Sequence, residues 1–286
     1  MRLTVERQTA FSSISWEESP CPLCGGDRHA PILEATDRLG DLRFLIVQCN
    51  SCGLSFTNPR PDVDCIEQFY PDNYRCHQPK DRREPRSEQA RWLSEPWGRR
   101  RLLDFGCGAG DFLVRMQAIG WNAVGLDASL SAVTCTRERG LVAHAGSLPH
   151  PHWTGPSFEA ITMWQSVEHV HHPLEVMRAA RGLLTPSGVL VVAVPNFDSL
   201  SRHWFGAAWH GLDLPRHLTH FTPATLRAML ERAGFAHVEI RQERRSSWIR
   251  HSATGGLWRT RLGSGLAGWW GWLVGRSENL VARAAI

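Results

Sequence analysis

The sequence contains no apolar run of about 18 residues, the minimum for a membrane-spanning helix. Its first residues also lack the apolar core of a secretory signal, so we expect a cytoplasmic protein. No block of one charge is present: the net charge is +4, and basic residues interleave with acidic ones. A nucleic-acid partner is therefore not indicated. Tyrosine is scarce, and its two copies, Tyr70 and Tyr74, are either surface aromatics or side chains that reach over a neighbouring cleft.

Cysteine, in contrast, is well represented, and four of the eight cysteines form two C-x-x-C pairs on either side of the β-rich run LRFLIVQC. In a reducing compartment a disulfide framework is not expected, whereas two such turns joined by a hairpin can surround zinc with four thiolates. Buried thiols without a ligand are the alternative. A closed four-thiolate shell leaves no open position, so the predicted zinc is structural. Its ligands are Cys21, Cys24, Cys49 and Cys52.

From residue 99 onward, strand patterns such as NAVGLD and GVLVVAVP alternate with helix patterns such as PLEVMRAARGLL. This alternation predicts an α/β fold, with helices on both faces of a Rossmann-like parallel sheet. Ligands of such sheets bind beyond the carboxyl ends of the strands. We predict three parts: a zinc-ribbon-like module over 1–62, a linker with short helices over 63–98, and the α/β domain over 99–286.

The stretch LDFGCGAGD, residues 103–111, has glycine at every second position. It does not fit the dinucleotide fingerprint G-x-G-x-x-G, because Asp111 occupies the third glycine position, and no P-loop lysine follows. Asp104 would repel a pyrophosphate but attract an ammonium group, and Asp127 ends the second strand, where a carboxylate can bind ribose hydroxyls. A ligand with adenine, ribose and an amino group but no phosphate is S-adenosylmethionine.

Together with GLDAS (125–129) and MWQSVEHVHHPLEVM (163–177), this stretch resembles class I S-adenosylmethionine-dependent methyltransferases. The C-x-x-C pairs, NPRP (58–61) and DLPRHLTHFTPATLRAMLERAGF (213–235) resemble the bacterial group of these enzymes that has an N-terminal zinc-binding region and acts on sugars and natural products.

The resemblance implies a role for each matching residue. The methionine end of the cofactor would contact Asp104, Gly106, Gly108 and Gly110. Asp127 would hold the ribose, and Ala128 would lie beside the adenine. Ser147 stands where the family commonly has an acidic residue for the adenine amino group. Trp164 and Gln165 would cap the methyl-donating face.

Related ubiquinone-pathway enzymes have a metal-binding motif, E-x-x-E-H, at this position. This chain reads QSVEH, with Gln165 in place of the first glutamate, which disfavours a catalytic metal.

We predict methylation of a small molecule, with a sugar or nucleotide sugar as the favoured acceptor and oxygen slightly favoured over carbon. Histidine is the natural proton acceptor for a hydroxyl near neutral pH. We expect His169 and His217 to be catalytic and Arg216 to be either a clamp for a phosphate or carboxylate, or an ordinary ion-pair partner. Three further histidines are weaker candidates: His171, His172 and His220.

Three other functions stay open at this point. One is an RNA methyltransferase that uses the zinc module to bind RNA, and another is a methyltransferase of a lipid-linked intermediate. The third is a cofactor-binding protein without catalytic activity.

Tryptophan is abundant, with 13 residues, and several lie in a C-terminal insertion over about 248–276 that includes the uncharged run 262–275. A helical hairpin that packs on the sheet, or a dimer interface, is the favoured interpretation. An interfacial helix in peripheral contact with a membrane is the alternative.

Overall fold

A computed structural model of the chain describes residues 14–37, 42–71, 74, 77–78, 89–93 and 100–286. Much of the predicted linker, 63–98, lies outside these residues. Its described parts contain two 3-10 helices, Ile66–Phe69 and Ala90–Trp92.

The described residues form thirteen strands and seven α-helices. The strands are β1 (Trp16–Glu17), β2 (His29–Thr36), β3 (Arg43–Cys49), β4 (Ser55–Thr57), β5 (Arg60–Pro61), β6 (Arg101–Phe105), β7 (Asn122–Asp127), β8 (Val142–Ala145), β9 (Phe158–Trp164), β10 (Leu184–Pro195), β11 (Thr219–His220), β12 (His237–Glu243) and β13 (Asn279–Ala285). The helices are α1 (Asp111–Ala118), α2 (Leu130–Glu138), α3 (Pro173–Leu183), α4 (Leu200–Phe205), α5 (Pro223–Arg232), α6 (Ser246–Ser252) and α7 (Arg261–Leu273).

Seven strands form the central sheet in the order β12, β13, β10, β9, β6, β7, β8. Strands β6 to β10 pair in parallel, as predicted, and their buried faces are rich in leucine, isoleucine, valine and alanine. Such runs suit strands that are covered on both sides. The predicted Rossmann-like α/β fold is confirmed.

The sheet is mixed rather than wholly parallel, because β13 runs antiparallel to both of its neighbours, β10 and β12. The connection from β12 to β13 contains α6, a 3-10 helix (Leu257–Arg259) and α7, and it returns the chain to the edge at which β12 ended. The next strand must therefore run in the opposite direction.

A second, smaller sheet holds the N-terminal part of the chain. Strands β2, β3 and β4 pair antiparallel, and the fourth member of this sheet is β11, which comes from the segment between β10 and α5. The Thr57 hydroxyl donates a hydrogen bond to the carbonyl of His217, at 2.9 Å. The N-terminal strands and the loop that precedes α5 therefore fold as one unit.

Arg60, in β5, is the largest fully buried side chain at this junction. Its guanidinium pairs with Glu17 at 2.6 Å and donates to the carbonyl of His171 at 3.2 Å. A buried cation is tolerated only with such partners. Arg60 therefore fixes the N-terminal strands to the turn that follows β9.

We expect Arg60→Ala to lower the free energy of unfolding by about 2–4 kcal/mol, because it removes buried hydrogen bonds and leaves a cavity. The matched control is Arg43→Ala, which breaks an exposed ion pair with Glu34 between the neighbouring strands β3 and β2. That change should cost less than about 1 kcal/mol. Chemical denaturation monitored by circular dichroism would measure both, and equal losses would contradict the assignment of Arg60 as the junction residue.

Candidate active site

The glycine-rich loop connects β6 to α1 at the carboxyl edge of the central sheet. Gly106, Gly108 and Gly110 all have positive φ angles, between 53° and 78°, a region that glycine enters without strain. A Cβ at Gly106 would lie 2.5 Å from the Cβ of Ser166. The N–H of Gly106 donates to the carbonyl of Leu126, at 2.7 Å, which ties the loop to β7. The backbone therefore forms a cradle that side chains would fill.

Asp127, the last residue of β7, faces this cradle. Its two carboxylate oxygens accept hydrogen bonds from the N–H groups of Gly108 and Ser129, at 2.8 and 2.9 Å. A carboxylate has about four acceptor positions, so Asp127 can also accept from ribose hydroxyls. Ala128 is exposed beside it, and Ser147 is exposed beyond β8, on the same edge of the sheet.

Asp104 lies below the loop and is buried. It accepts a 2.6 Å hydrogen bond from the Thr162 hydroxyl. Burial raises its pKa to about 7, and the nearby charge of Asp127 acts in the same direction. A bound ammonium group would offset both effects. This environment fits the amino group of S-adenosylmethionine.

Two unpaired donors also lie beside the cradle. The indole N–H of Trp164 and the hydroxyl of Ser166 are buried and have no hydrogen-bond partner among the described residues. The Trp164 ring packs against Phe112, at the start of α1, with ring centroids 5.5 Å apart. Unpaired buried donors are costly, so a ligand that accepts from them is favoured.

Gln165 has a positive φ of 52°, which is uncommon for a residue with a side chain. Its side-chain amide donates to Asn279 in β13, at 2.8 Å. The side chain is therefore held toward β13, and its predicted contact with the cofactor stays a prediction. The strained turn directs the following residues, 166–169, across the carboxyl edge.

His169 and His217 lie face to edge, with ring centroids 4.6 Å apart, although they are 48 positions apart in the chain. His217 Nδ1 lies 2.9 Å from the carbonyl of Gly211. A carbonyl can only accept, so Nδ1 carries the proton and Nε2 has a free lone pair. Burial lowers the pKa of His217 to about 4 and that of His169 to about 3. Both rings are neutral at pH 7.

Glu168 was not predicted from the sequence as a site residue. Its carboxyl group is fully buried, neither oxygen has a partner among the described residues, and one oxygen lies 3.9 Å from His217 Nε2. Burial raises the pKa of Glu168 to about 8. One ligand atom from each of Glu168, His169 and His217 lies within 4.8 Å of the others, a spacing that could also hold a cation.

The other three candidate histidines have different roles. His171 is buried and bonds the carbonyl of Pro61 at 3.0 Å, whereas His172 is exposed at the start of α3. His220 is buried, and its Nε2 lies 3.1 Å from the Thr57 hydroxyl. His171 therefore joins β5 to the turn that follows β9, and His220 joins β11 to β4 within the smaller sheet.

Tyr70 and Tyr74 reach over the cleft, so the alternative that they are surface aromatics is not favoured. The Tyr70 hydroxyl lies 3.0 Å from His169 Nδ1, and the rings of Tyr70 and Tyr74 are 5.2 Å apart. Burial raises the pKa of Tyr70, so its hydroxyl stays protonated and donates to His169. His77, in contact with Ser129, continues this aromatic wall toward Asp127.

Arg216 stands beside the same wall, but its guanidinium is occupied. It binds both carboxylate oxygens of Asp213, at 2.6 and 3.0 Å, and donates to the carbonyl of Phe69. The ion-pair interpretation is therefore favoured over a clamp for a phosphate or carboxylate. Asp213 was not predicted as a site residue, because a single aspartate in a sequence gives no indication of which residue it pairs with.

The four predicted zinc ligands form a compact cluster. All four sulfur atoms lie within 4.8 Å of one another, and the shortest separations are 3.4 Å (Cys21 to Cys52) and 3.5 Å (Cys24 to Cys49). In a tetrahedral shell with Zn–S bonds of about 2.3 Å the sulfurs would be about 3.8 Å apart.

The two knuckles have the same local geometry. In each, the glycine after the second cysteine, Gly25 or Gly53, has a positive φ and donates its N–H to the carbonyl of the first cysteine. Burial raises the pKa of Cys52 to about 11 and raises that of Cys21 further. A bound divalent cation would favour the thiolate forms, so the cluster fits zinc.

Taken together, a glycine-rich cradle, a strand-end carboxylate and a row of aromatic and histidine side chains along one sheet edge define a nucleoside-binding Rossmann-like domain. Residues 74–240 match the family model described as "Methyltransferase domain", so the chain belongs to that family. This membership confirms the predicted class I S-adenosylmethionine-dependent methyltransferase domain.

The relatives include ubiquinone biosynthesis O-methyltransferases. The one from Cereibacter sphaeroides is 31% identical over 152 residues, which are 49% of this chain and 61% of the relative. The one from Dinoroseobacter shibae is 31% identical over 155 residues, with the same shares. The match thus spans less than two thirds of these relatives.

A solved structure with the same fold is the S-adenosylmethionine-dependent methyltransferase from Archaeoglobus fulgidus, with a TM-score of 0.50 and 20% identity. The match covers 68% of this chain and 89% of that one.

We expect the purified chain to contain about one zinc ion, and Cys24→Ser to lose it, because three thiolates cannot close the shell. Elemental analysis after gel filtration would measure the content. Cys135→Ser is the matched control, since Cys135 lies on α2, outside the cluster. Equal zinc in the two variants would contradict the ligand set.

Proposed function

We propose that this chain transfers a methyl group from S-adenosylmethionine to a hydroxyl oxygen of a small molecule. The observation that carries the proposal is the free Nε2 lone pair of His217, held beside the cofactor cradle by the bond from its Nδ1–H to Gly211. The similarity to proteins named as O-methyltransferases supports oxygen as the acceptor atom.

S-adenosylmethionine, when bound, supplies a methyl group on a positively charged sulfur. Asp104 and Asp127 would orient it through its amino and ribose groups. His217 Nε2 would accept the proton of the attacking hydroxyl as the oxygen–carbon bond forms and the carbon–sulfur bond breaks. The Asp213 carboxylate, which also lies 3.9 Å from His217 Nε2 and acts to raise the pKa of that ring, would stabilise the imidazolium that results.

The walls of the cleft favour an uncharged acceptor. Tyr70, Tyr74 and His169 present rings, and the guanidinium of Arg216 is already bound to Asp213. Arg216 is therefore not available to bind the phosphates of a nucleotide sugar, and that contact was the reason to favour such an acceptor. An uncharged hydroxylated ring, from a sugar or from an aromatic compound, is the acceptor class we propose.

A second candidate mechanism rests on the spacing of Glu168, His169 and His217. A divalent cation held by these three residues would polarise the acceptor hydroxyl, and His217 would then be a ligand rather than a base. Mg²⁺ or Mn²⁺ added to protein that has been passed over a chelating resin distinguishes the two. Activity that needs the added ion, and that Glu168→Gln loses even when the ion is present, would favour the cation.

The acceptor class can be tested by following labelled methyl from S-adenosylmethionine into a cell extract that is then separated into RNA, lipid and water-soluble pools. Asp127→Ala is the control for cofactor binding. Label in uncharged water-soluble metabolites supports the proposal. Label in RNA would contradict it, whereas label in lipid would point to a lipid-linked acceptor.

We expect His217→Gln to lower turnover by about 100-fold or more, because glutamine cannot accept the hydroxyl proton. The rate of label incorporation into the acceptor pool measures this, and S-adenosylmethionine affinity should be unchanged. His172→Gln, an exposed position, is the matched control and should keep full turnover. Unchanged turnover in His217→Gln would exclude the base mechanism.

The affinity for S-adenosylmethionine should fall as the pH is lowered through 7. The Asp104 pKa is raised to about 7 in the empty site, and the bound ammonium requires the carboxylate, so binding at lower pH must release a proton. The dissociation constant should rise by up to about tenfold for each pH unit below 7. Isothermal titration calorimetry over a pH series measures this.

Two controls isolate Asp104. The affinity of 5′-methylthioadenosine, which lacks the amino acid end, should not follow this pH dependence. Asp104→Asn should bind S-adenosylmethionine more weakly and with a flat pH profile in the same range. A slope that persists in Asp104→Asn would assign the proton to another group.

A further inference from the structure

Helix α7 has the reverse of the usual arrangement of side chains. Its inward face carries only small residues, and Gly268 packs so closely on α6 that a Cβ there would lie 3.0 Å from the Ser246 hydroxyl. Large apolar residues project outward instead. Six of them are about half exposed or more: Leu262, Leu266, Trp269, Trp270, Trp272 and Leu273.

These outward residues form one continuous stripe. Leu262, Leu266, Trp269 and Leu273 follow the i, i+4, i+7, i+11 spacing of a single helix face, which Trp270 and Trp272 flank. Next to the helix, Trp258 stacks on Trp204 of α4, with ring centroids 5.4 Å apart, and both are more than 40% exposed. Exposed apolar patches of this kind mark interaction surfaces.

The segment that carries the stripe is basic. Residues 244–277 contain six arginines and no aspartate or glutamate, and two of the six, Arg245 and Arg276, pair with acidic residues outside the segment. Arg259 and Arg261 are exposed at the start of α7, where the helix dipole disfavours a cation. Their position is therefore not explained by helix stability, and it suits a surface that attracts anions.

The stripe lies near the edge of the sheet where the acceptor must enter. Helix α7 leads into β13, whose first residue, Asn279, pairs with Pro195 at the carboxyl end of β10 and bonds Gln165. Helix α6 contacts the segment just before the loop that carries Arg216 and His217, since the N–H of His210 donates to the Ser252 hydroxyl at 2.8 Å.

We propose that the outward face of α7, together with Trp204, Trp258 and the flanking arginines, binds the surface of an anionic lipid bilayer. Tryptophan and leucine would enter the region between headgroups and acyl chains, and the arginines would contact phosphate groups. The contact is peripheral, because one exposed face of α7 makes it. None of the helices among the described residues is long and apolar enough to cross a membrane.

A second copy of the chain fits the same surface less well. Antiparallel pairing of two α7 helices would bring Arg259 and Arg261 of one copy toward the end of the other helix, where Arg276 already occupies Asp198 at 2.8 Å. Residues 244–277 of the second copy offer no acidic partner for these two arginines. An anionic surface does.

The test is cosedimentation of the full chain with vesicles of phosphatidylcholine alone or mixed with phosphatidylglycerol. The chain should bind the mixed vesicles, more weakly as salt is added. Leu266→Ser/Trp269→Ser should lower the partition coefficient by about tenfold or more. Arg259→Gln/Arg261→Gln should remove most of the preference for phosphatidylglycerol.

Ile119→Ser/Val142→Ser is the matched control, because it removes two equally exposed apolar side chains elsewhere on the molecule. It should bind vesicles like the unchanged chain. S-adenosylmethionine binding, measured in every variant, reports on the fold and the cofactor site independently. Unchanged sedimentation of Leu266→Ser/Trp269→Ser overturns the proposal. A dimer that this variant abolishes in light scattering, without vesicle binding by the unchanged chain, also overturns it.

Discussion

The pairing of β11 with β4 is the contact on which the candidate active site depends. Only two residue pairs are involved, Thr219 with Phe56 and His220 with Ser55, but they join a strand next to His217 to the sheet that ends in the cysteine knuckles. The hydrogen bond from Thr57 to the His217 carbonyl strengthens this connection. A structural zinc ion would therefore stabilise the acceptor side of the site without contacting either substrate.

Burial is the second constraint on the site, because it sets the protonation of almost every group there. It raises the pKa of Glu168 to about 8 and lowers that of His217 to about 4, so the apo site holds its titratable groups close to neutral. Such a site disfavours charged acceptors and strengthens the interactions of any charge that develops during reaction. The ion pair of Arg216 with Asp213 keeps the nearest guanidinium from acting on an acceptor.

The side chains and loops that a methyl transfer would need lie together at the carboxyl edge of the sheet. This holds whether the acceptor is soluble or associated with a membrane. The glycine cradle and Asp127 lie above β6 and β7, the histidine pair follows β9, and the tryptophan-bearing helix enters β13 from the same edge. If α7 rests on a lipid surface, the acceptor cleft opens close to that surface. The same arrangement would then account for both the proposed contact with lipid and a lipid-linked acceptor.

The sequence alone determined the features that depend on local spacing. Alternating strand and helix patterns predicted the sheet, C-x-x-C-Gly turns predicted the four-cysteine cluster, and glycines with Asp127 predicted a nucleoside cradle. Glu168, the partner of His217, and Tyr70, 99 residues from His169, were decided only by tertiary structure. These two contacts depend on the order of the strands and on the pairing of β11 with a distant strand. Strand order and distant pairing produce no repeating pattern in the sequence near Glu168 or Tyr70. The outward direction of the α7 tryptophans was likewise decided by packing, because glycine is the residue that allows close contact on the opposite face.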